Sequence, residues 1–246
     1  YWNFDDGIGT AVTDLSVHKN VGSLKGGPTW TTGRSGTALS FDGVDDYVSI
    51  GDPAILNIDN NLTISVWFQT QNAQVGALVN KFDNSNPDKG YYLAIGSESF
   101  SNAGTLHFRT NDGSGNAGVG KDSIVTSSTF TDGQWHHLVA IYKSDGVSRP
   151  QIYIDKVRQN GTLAGAAIEK IATTPSMDFR IGKYSPDLNN HGFYFKGLMD
   201  EVRVYDRVLN ISEIEELYNK ALIPPVESTP TPSPTPTPTP IPVPTP

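Results

Sequence analysis

The sequence predicts an all-β fold: a two-sheet antiparallel β-sandwich of jelly-roll type with one short C-terminal helix. Two observations carry that expectation. Short period-2 runs of β-branched and aromatic residues recur from Tyr1 to about Arg207, separated by clusters of Gly, Asn, Asp and Ser. No helical pattern alternates with these runs, so each sheet has to cover its apolar face with another sheet. The chain is long enough for one sizeable core: 246 residues, 37% hydrophobic, with 11 of the 17 prolines confined to the last 23 positions.

In chain order, strands are expected over residues 38–41, 47–50, 62–68, 77–81, 91–95, 105–109, 136–142, 151–155, 179–182 and 199–205, because each alternates apolar with polar or fills a short apolar run between turn residues. One helix is expected over about 212–220. Ser212 with Glu215 three residues on reads as a capping box, and Ile211, Ile214, Leu217 and Tyr218 recur on one helical face. The folded domain is thus placed at 1–222. The remaining segment, 223–246, is a Thr-Pro alternation that cannot bury a core and reads as a semi-rigid, extended linker, with a further module expected after it.

Composition excludes several functions. A net charge of −8, from 18 basic and 26 acidic residues, makes a poor binder of nucleic acid. No window approaches the roughly 18–20 continuous apolar residues of a membrane span, so membrane insertion of this segment is not expected. The absence of cysteine removes disulfides, thiolate ligands and thiol nucleophiles. No basic-then-apolar leader opens the chain, so a signal peptide is expected to have been trimmed or to lie upstream.

Six motifs then occur in order: Trp-Asn-Phe-Asp-Asp at 2–6, Gly-Thr-Ala-Leu-Ser-Phe-Asp-Gly-Val-Asp-Asp-Tyr-Val at 36–48, Ile-Ser-Val-Trp-Phe at 64–68, Asp-Gly-Gln-Trp-His-His-Leu-Val-Ala at 132–140, Ile-Tyr-Ile-Asp at 152–155, and Phe-Lys-Gly-Leu-Met-Asp-Glu-Val-Arg-Val-Tyr-Asp-Arg at 195–207. Together they resemble the concanavalin A-like lectin/glucanase superfamily in its laminin-G-like branch, over about residues 1–220. Asp155-Lys156 departs from the Asp-Gly more usual at that hairpin.

Most conspicuous residues read as structure. Trp67 and Trp135 are expected in core packing. His136 and His137 alternate faces on a strand, so they cannot ligate one metal together and are assigned to hydrogen bonds within the sheet. The Gly-rich stretch 112–120 lacks a following helix and reads as a mobile loop, not a phosphate cradle. Glucanases that share the implied fold carry Glu-x-Asp-x-Glu on one strand, which aligns both carboxylates on a concave face. No such triplet occurs here, so the domain reads as non-catalytic.

Turns rich in Asp and Asn offer the oxygen ligands that a hard cation needs. The resemblance implies a structural calcium held by Asp5, Gly43, Asp45 and Asp200, with Asp14 a weaker addition; the alternative is that these acids cap turns. A ligand surface is expected on edge loops or on the concave sheet, with Tyr91, Arg109, Asn111, Tyr184, Asn190 and His191 as candidates, and Asn84, Asp88 and Tyr194 beside them. The leading expectation is a glycan-binding module of a larger secreted or surface protein. The alternatives are an adhesion or spacer module that contacts protein and, third, a hydrolase with an unrecognised site.

Overall fold

The computed structural model of the protein describes residues 1–83, 87–96, 103–114, 120–184 and 193–220; the expected linker over 223–246 and residues 115–119 of the expected mobile loop lie outside them. The first half holds β1 (Ala11–Val12), β2 (Gly22–Lys25), β3 (Thr29–Thr32), β4 (Thr37–Asp42), β5 (Tyr47–Gly51), β6 (Leu62–Gln69), β7 (Gly76–Asp83) and β8 (Lys89–Ile95). The second holds β9 (Thr105–Asp112), β10 (Lys121–Thr129), β11 (Trp135–Tyr142), β12 (Gln151–Ile154), β13 (Val157–Arg158), β14 (Gly161–Gly165), β15 (Phe179–Ile181) and β16 (Lys196–Tyr205), followed by α1 (Ile211–Lys220).

Two antiparallel sheets result, a nine-stranded one in the order β1-β2-β5-β15-β7-β8-β9-β10-β14 and a seven-stranded one in the order β13-β12-β11-β6-β16-β4-β3. Strand alternation builds the core between them. From β6, Leu62, Ile64, Val66 and Phe68 enter it; from β8 and β9 come Tyr91, Leu93, Ile95, Leu106 and Phe108. All ten expected strands are present. Six more, β1, β2, β3, β10, β13 and β14, were not legible, because they are short or, like β10 with only Ile124 and Val125 apolar, owe their conformation to pairing with neighbours.

The two tryptophans depart from the expected core packing. Trp67 shares the outward parity of Ser65, so its buried ring lies outside the inter-sheet core, stacked on His137 at 5.1 Å and packed on Tyr218 of α1 at 5.3 Å. Trp135 also faces outward, opposite Gln69, and is only partly buried. At the β12–β13 hairpin both Asp155 (φ 48°) and Lys156 (φ 71°) adopt the left-handed conformation, the requirement of a two-residue primed turn that Asp-Gly would meet with less strain.

The helix begins a residue before its expected start. Asn210, not Ser212, is the cap: its side-chain oxygen accepts the Glu213 N–H at 3.0 Å, and the Glu213 carboxylate accepts the Asn210 N–H at 2.8 Å. Leu209 before the cap and Ile214 within the first turns share one apolar cluster with Leu217, Val139, Ile141 and Tyr153, a hydrophobic staple that seats α1 on the outer face of the seven-stranded sheet. Ile211, expected on that face, is 49% exposed, since it lies at the first helical position, beyond the staple. Asn210→Ala is expected to destabilise the fold by about 1 kcal/mol, whereas Ser212→Ala leaves it nearly unchanged. Denaturant melts of the two variants check this, and equal losses would return the cap to Ser212.

Candidate functional site

On the nine-stranded sheet, alternation leaves an unusual set of side chains on the outer face: Asn80 and Phe82 of β7, Tyr92 and Ala94 of β8, His107 and Arg109 of β9. Phe82 and Tyr92 meet edge to face at 5.2 Å, Tyr92 meets Tyr184 at 5.2 Å, and Tyr184 meets Phe193 at 6.0 Å. The Arg109 guanidinium lies 5.0 Å over Phe82, is ion-paired with Asp88, and donates from Nε to Asn111 Oδ1 at 2.8 Å. Farther along the face, the Lys183 ammonium stands 4.6 Å from the Tyr47 ring and 4.9 Å from the Tyr194 ring. A solvent face of a sheet is ordinarily small and polar; this one is paved with rings and cations.

Access divides these residues into two groups. Phe82, Tyr92, His107 and Asn111 are buried and fix the platform, while Tyr47, Asp88, Arg109, Lys183, Tyr184 and Tyr194 are partly exposed and form its reachable surface. Arg109, Tyr184, Asp88 and Tyr194 thus lie on the expected face. Asn111 lies there too but is only 2% exposed, holding Arg109 in place. Tyr91 points the other way: its ring is in the core and its hydroxyl donates to the Leu56 carbonyl at 2.9 Å. Asn84, Asn190 and His191 lie outside the described residues. The sequence reading missed Tyr92, Phe82, Tyr47 and Lys183. The signal for the first was present, because Tyr91, Leu93 and Ile95 form the apolar alternate of β8 and leave Tyr92 facing out.

On the other sheet, Asp5 and Asp200 converge on the loop 33–36 between β3 and β4. Asp200 faces outward beside Trp67 on β16, yet it is fully buried because the loop lies over it; the Ser35 N–H donates to its Oδ2 at 3.0 Å. Asp5 Oδ1 accepts the Thr37 N–H at 2.9 Å. A Cβ at Gly33 would stand 2.7 Å from Asp200 Oδ2, and one at Gly36 would stand 2.0 Å from Asp5 Oδ1, so the loop reaches both carboxylates only because these positions carry no side chain. Asp200 Oδ1 has no hydrogen-bond partner. Burial pushes this carboxyl up to about 7, with the charges of Glu201 and Asp5 adding to the rise.

Gly43 and Asp45 belong to a turn at the far end of β4. There Asp42 faces Lys196, whereas Leu39, three residues back, faces Met199 beside Asp200. Asp42, Asp45 and Asp46 gather their carboxylates in this turn, but Asp42 Oδ1 accepts the Val44 N–H at 2.7 Å and Asp46 Oδ2 accepts the Asp42 N–H at 2.9 Å. These are turn caps. Asp14 is likewise engaged, accepting from the backbone of Ser16 and Asn20 at 2.8 Å each. The structure therefore brings Asp5 and Asp200 together and leaves Gly43 and Asp45 with a different turn.

A family model, Laminin_G_3, described as the concanavalin A-like lectin/glucanases superfamily, matches residues 42–215. The chain belongs to this family. As a laminin-G-like domain it is 32% identical over 189 residues, 76% of the chain, to the Adhesion G-protein coupled receptor V1 of Danio rerio, of which it spans 3%. Solved structures agree on the fold. The binding domain of Paraclostridial Mosquitocidal Protein 1 is 20% identical with a TM-score of 0.62, over 88% of this chain and 53% of that one. Domain 4 of AbnA, a GH43 extracellular arabinanase from Geobacillus stearothermophilus solved with arabinotriose, is 18% identical with a TM-score of 0.60, over 88% and 96%. The binding domain of botulinum neurotoxin DC in complex with rat synaptotagmin II is 11% identical with a TM-score of 0.62, over 87% and 50%.

Two buried histidines of the laminin-G-like domain give it a pH signature. Burial lowers His107 and His137 to about 3. Both then stay neutral in the fold, while the unfolded chain takes up their protons near pH 6.5. The unfolded state thus binds more protons below pH 6.5, and stability falls as pH drops toward 3, by about 2 kcal/mol per histidine between pH 6.5 and 5. His136 runs the opposite way, raised by its hydrogen bonds to Asp155 and Asp132, so its contribution is lost as pH rises. In His137→Asn, the loss of stability between pH 6.5 and 5 in denaturant melts should shrink by about 2 kcal/mol. A slope identical to the wild type would mean that His137 is not the group that titrates.

Proposed function

We propose that this domain is a non-catalytic glycan-binding module of a larger secreted or cell-surface protein, with a structural calcium ion between Asp5 and Asp200. The observation that carries the glycan reading is the partly exposed track of Tyr47, Lys183, Tyr194, Tyr184, Arg109 and Asp88 over the nine-stranded sheet. Sugar rings stack their C–H faces on aromatic side chains, and their hydroxyls pair with the guanidinium and carboxylate beside them. None of the nine strands contributes a glutamate, which supports binding without glycoside hydrolysis. The AbnA domain, solved with arabinotriose, makes arabino-oligosaccharides the first glycans to test. Tyr184→Ala and Arg109→Ala are each expected to weaken glycan binding about tenfold in calorimetry while the melting temperature stays within a few degrees. Binding of a protein receptor through this face, with no response on a glycan array, would favour the adhesion reading, which the resemblance to an adhesion receptor keeps in view.

The calcium reading rests on the unpartnered, fully buried Oδ1 of Asp200. A buried carboxylate oxygen with no donor is costly, and a hard cation supplies both the missing contact and the charge. Asp5 and Asp200 would hold the ion, with the glycine-framed loop 33–36 close enough to add backbone carbonyls. Such an ion would tie the first segment to the last strand and stabilise the fold by about 2.7 kcal/mol at a hundredfold excess over Kd. Thermal unfolding with calcium and with a chelator should differ by several degrees in the wild type and coincide in Asp200→Asn. A wild-type melting temperature indifferent to chelation would remove the ion from the proposal.

A further inference from the structure

A second concavity opens on the opposite side of the molecule, at the end of the outer face of the seven-stranded sheet. It has a volume of about 620 Å³, within the range of small-ligand sites, and lies between the loop after β6, the loop before β11 and the start of β16. Its frame is held from behind. Gln69 Nε2 donates to the Gly133 carbonyl at 2.6 Å, the Thr70 hydroxyl donates to the Lys196 carbonyl at 2.6 Å, and the Gly133 N–H donates to the Thr70 carbonyl at 3.0 Å. The three segments are therefore fixed to one another before any ligand arrives. Gly133 keeps the space open: a Cβ there would stand 2.7 Å from the Gln71 amide nitrogen.

The groups that face this space are chemically narrow. Gln71, Asn72 and Gln74 line it, and among the described residues the side-chain amides of Gln71 and Gln74 have no hydrogen-bond partner. An amide donates and accepts at once, as a hydroxyl does, so a row of such amides suits the hydroxyls of a polyol. Among the described residues Lys196 is the one charged group in the lining; it is exposed and joins no ion pair with them. Just outside the lining, on the strand beside Gln69, Trp135 faces the same side, partly exposed and in no ring contact among the described residues. It supplies the apolar plane that a sugar ring stacks on.

We propose that this pocket is a second saccharide site, separate from the nine-stranded face, and that it takes a sugar unit bearing a carboxylate. The amides of Gln71 and Gln74 hold the hydroxyls, Trp135 meets the ring, and the Lys196 ammonium pairs with the carboxylate. On a protein with net charge −8, a single unpaired lysine in an amide-lined pocket selects locally for an anion that the rest of the surface repels. The reading stands apart from the proposal for the nine-stranded face, because none of its residues lies on that sheet.

Titrations of the intact chain with sodium glucuronate, N-acetylneuraminate and glucose, followed by amide chemical shifts, test it. The expected result is saturable binding of one or both acids, about tenfold tighter than glucose at low salt, with shifts centred on residues 69–74 and 196–198. The acid that binds identifies the sugar class. Lys196→Met should bring that acid down to the affinity of glucose, and the double variant Gln71→Ala with Gln74→Ala should weaken both about tenfold. Among the described residues these side chains hold no hydrogen bond or ion pair, so the melting temperature should stay within a few degrees. Tyr184→Ala, on the other sheet, should leave this binding unchanged even where it abolishes glycan binding there. Absence of saturable binding by either acid at millimolar concentration, or binding that Lys196→Met and the double glutamine variant leave untouched, would overturn the proposal.

Discussion

A one-residue irregularity in β16 decides much of this molecule. Asp200 pairs with Trp67 but Arg203, three residues on, pairs with Ser65, only two residues away, so the strand bulges between them. The bulge restores two parities that strict alternation could not satisfy together: Met199 and Val202 both enter the core, and Asp200 and Arg203 both face out. Glu201 absorbs the kink with φ at 56°, a left-handed conformation that a glutamate adopts at a cost of about 1 kcal/mol. Its carboxylate is held there by the Tyr1 hydroxyl at 2.9 Å and by an ion pair with Arg203. At the same place the N-terminal segment joins the sheet, with Trp2 and Val202 exchanging backbone hydrogen bonds at 2.9 and 2.8 Å.

The consequence is a closed chain. The first segment, the loop 33–36 and β16 of the seven-stranded sheet meet at one point, and that point carries the buried, half-satisfied carboxylate of Asp200. Removing such a group from water is unfavourable unless something compensates it. Beside it, cations and rings pack on the outer face: Arg34 lies 4.8 Å over Trp67, Trp67 packs on Tyr218, and Lys156 stands 4.6 Å from the Tyr218 ring. The helix therefore does more than end the domain. It covers Val139, Ile141 and Tyr153 on the outer face, and its Tyr218 packs on Trp67 and His137.

The two outer faces have consequently been put to different uses. On the seven-stranded sheet, α1 and the loop 33–36 cover parts of the outer surface, and an open concavity lies at one end, beside Gln69 and Leu198. On the nine-stranded sheet, the rings of Phe82, Tyr92 and Tyr184 pack on one another, so each holds the next in a fixed orientation. Preorganised rings lose little freedom on meeting a ligand, which is the property that a recognition surface needs.

How much of this was legible in the sequence depends on how local each decision is. Period-2 alternation acts between neighbouring residues, so the sandwich, ten of its strands and the placing of His136 and His137 on opposite faces could be read directly. The six ordered motifs were enough to name the superfamily. Capping was nearly legible, but Asn210 and Ser212 both have an acid three residues on, and only the burial of Leu209 against Ile214 picks the first. The fate of the turn acids was beyond local reading. Asp5, Asp45 and Asp200 look alike along the chain, and the register of β4 against β16, with the pairing of Trp2 to Val202, sends Asp5 and Asp200 to one end and Asp45 to the other. The same holds for Trp67 and Tyr91, whose faces follow from which neighbours fill the core, and for the amide-lined pocket, whose walls come from segments more than 50 residues apart. Sequence fixes what each residue prefers within its strand; pairing and burial, which act between distant segments, decide which preferences can be met at once.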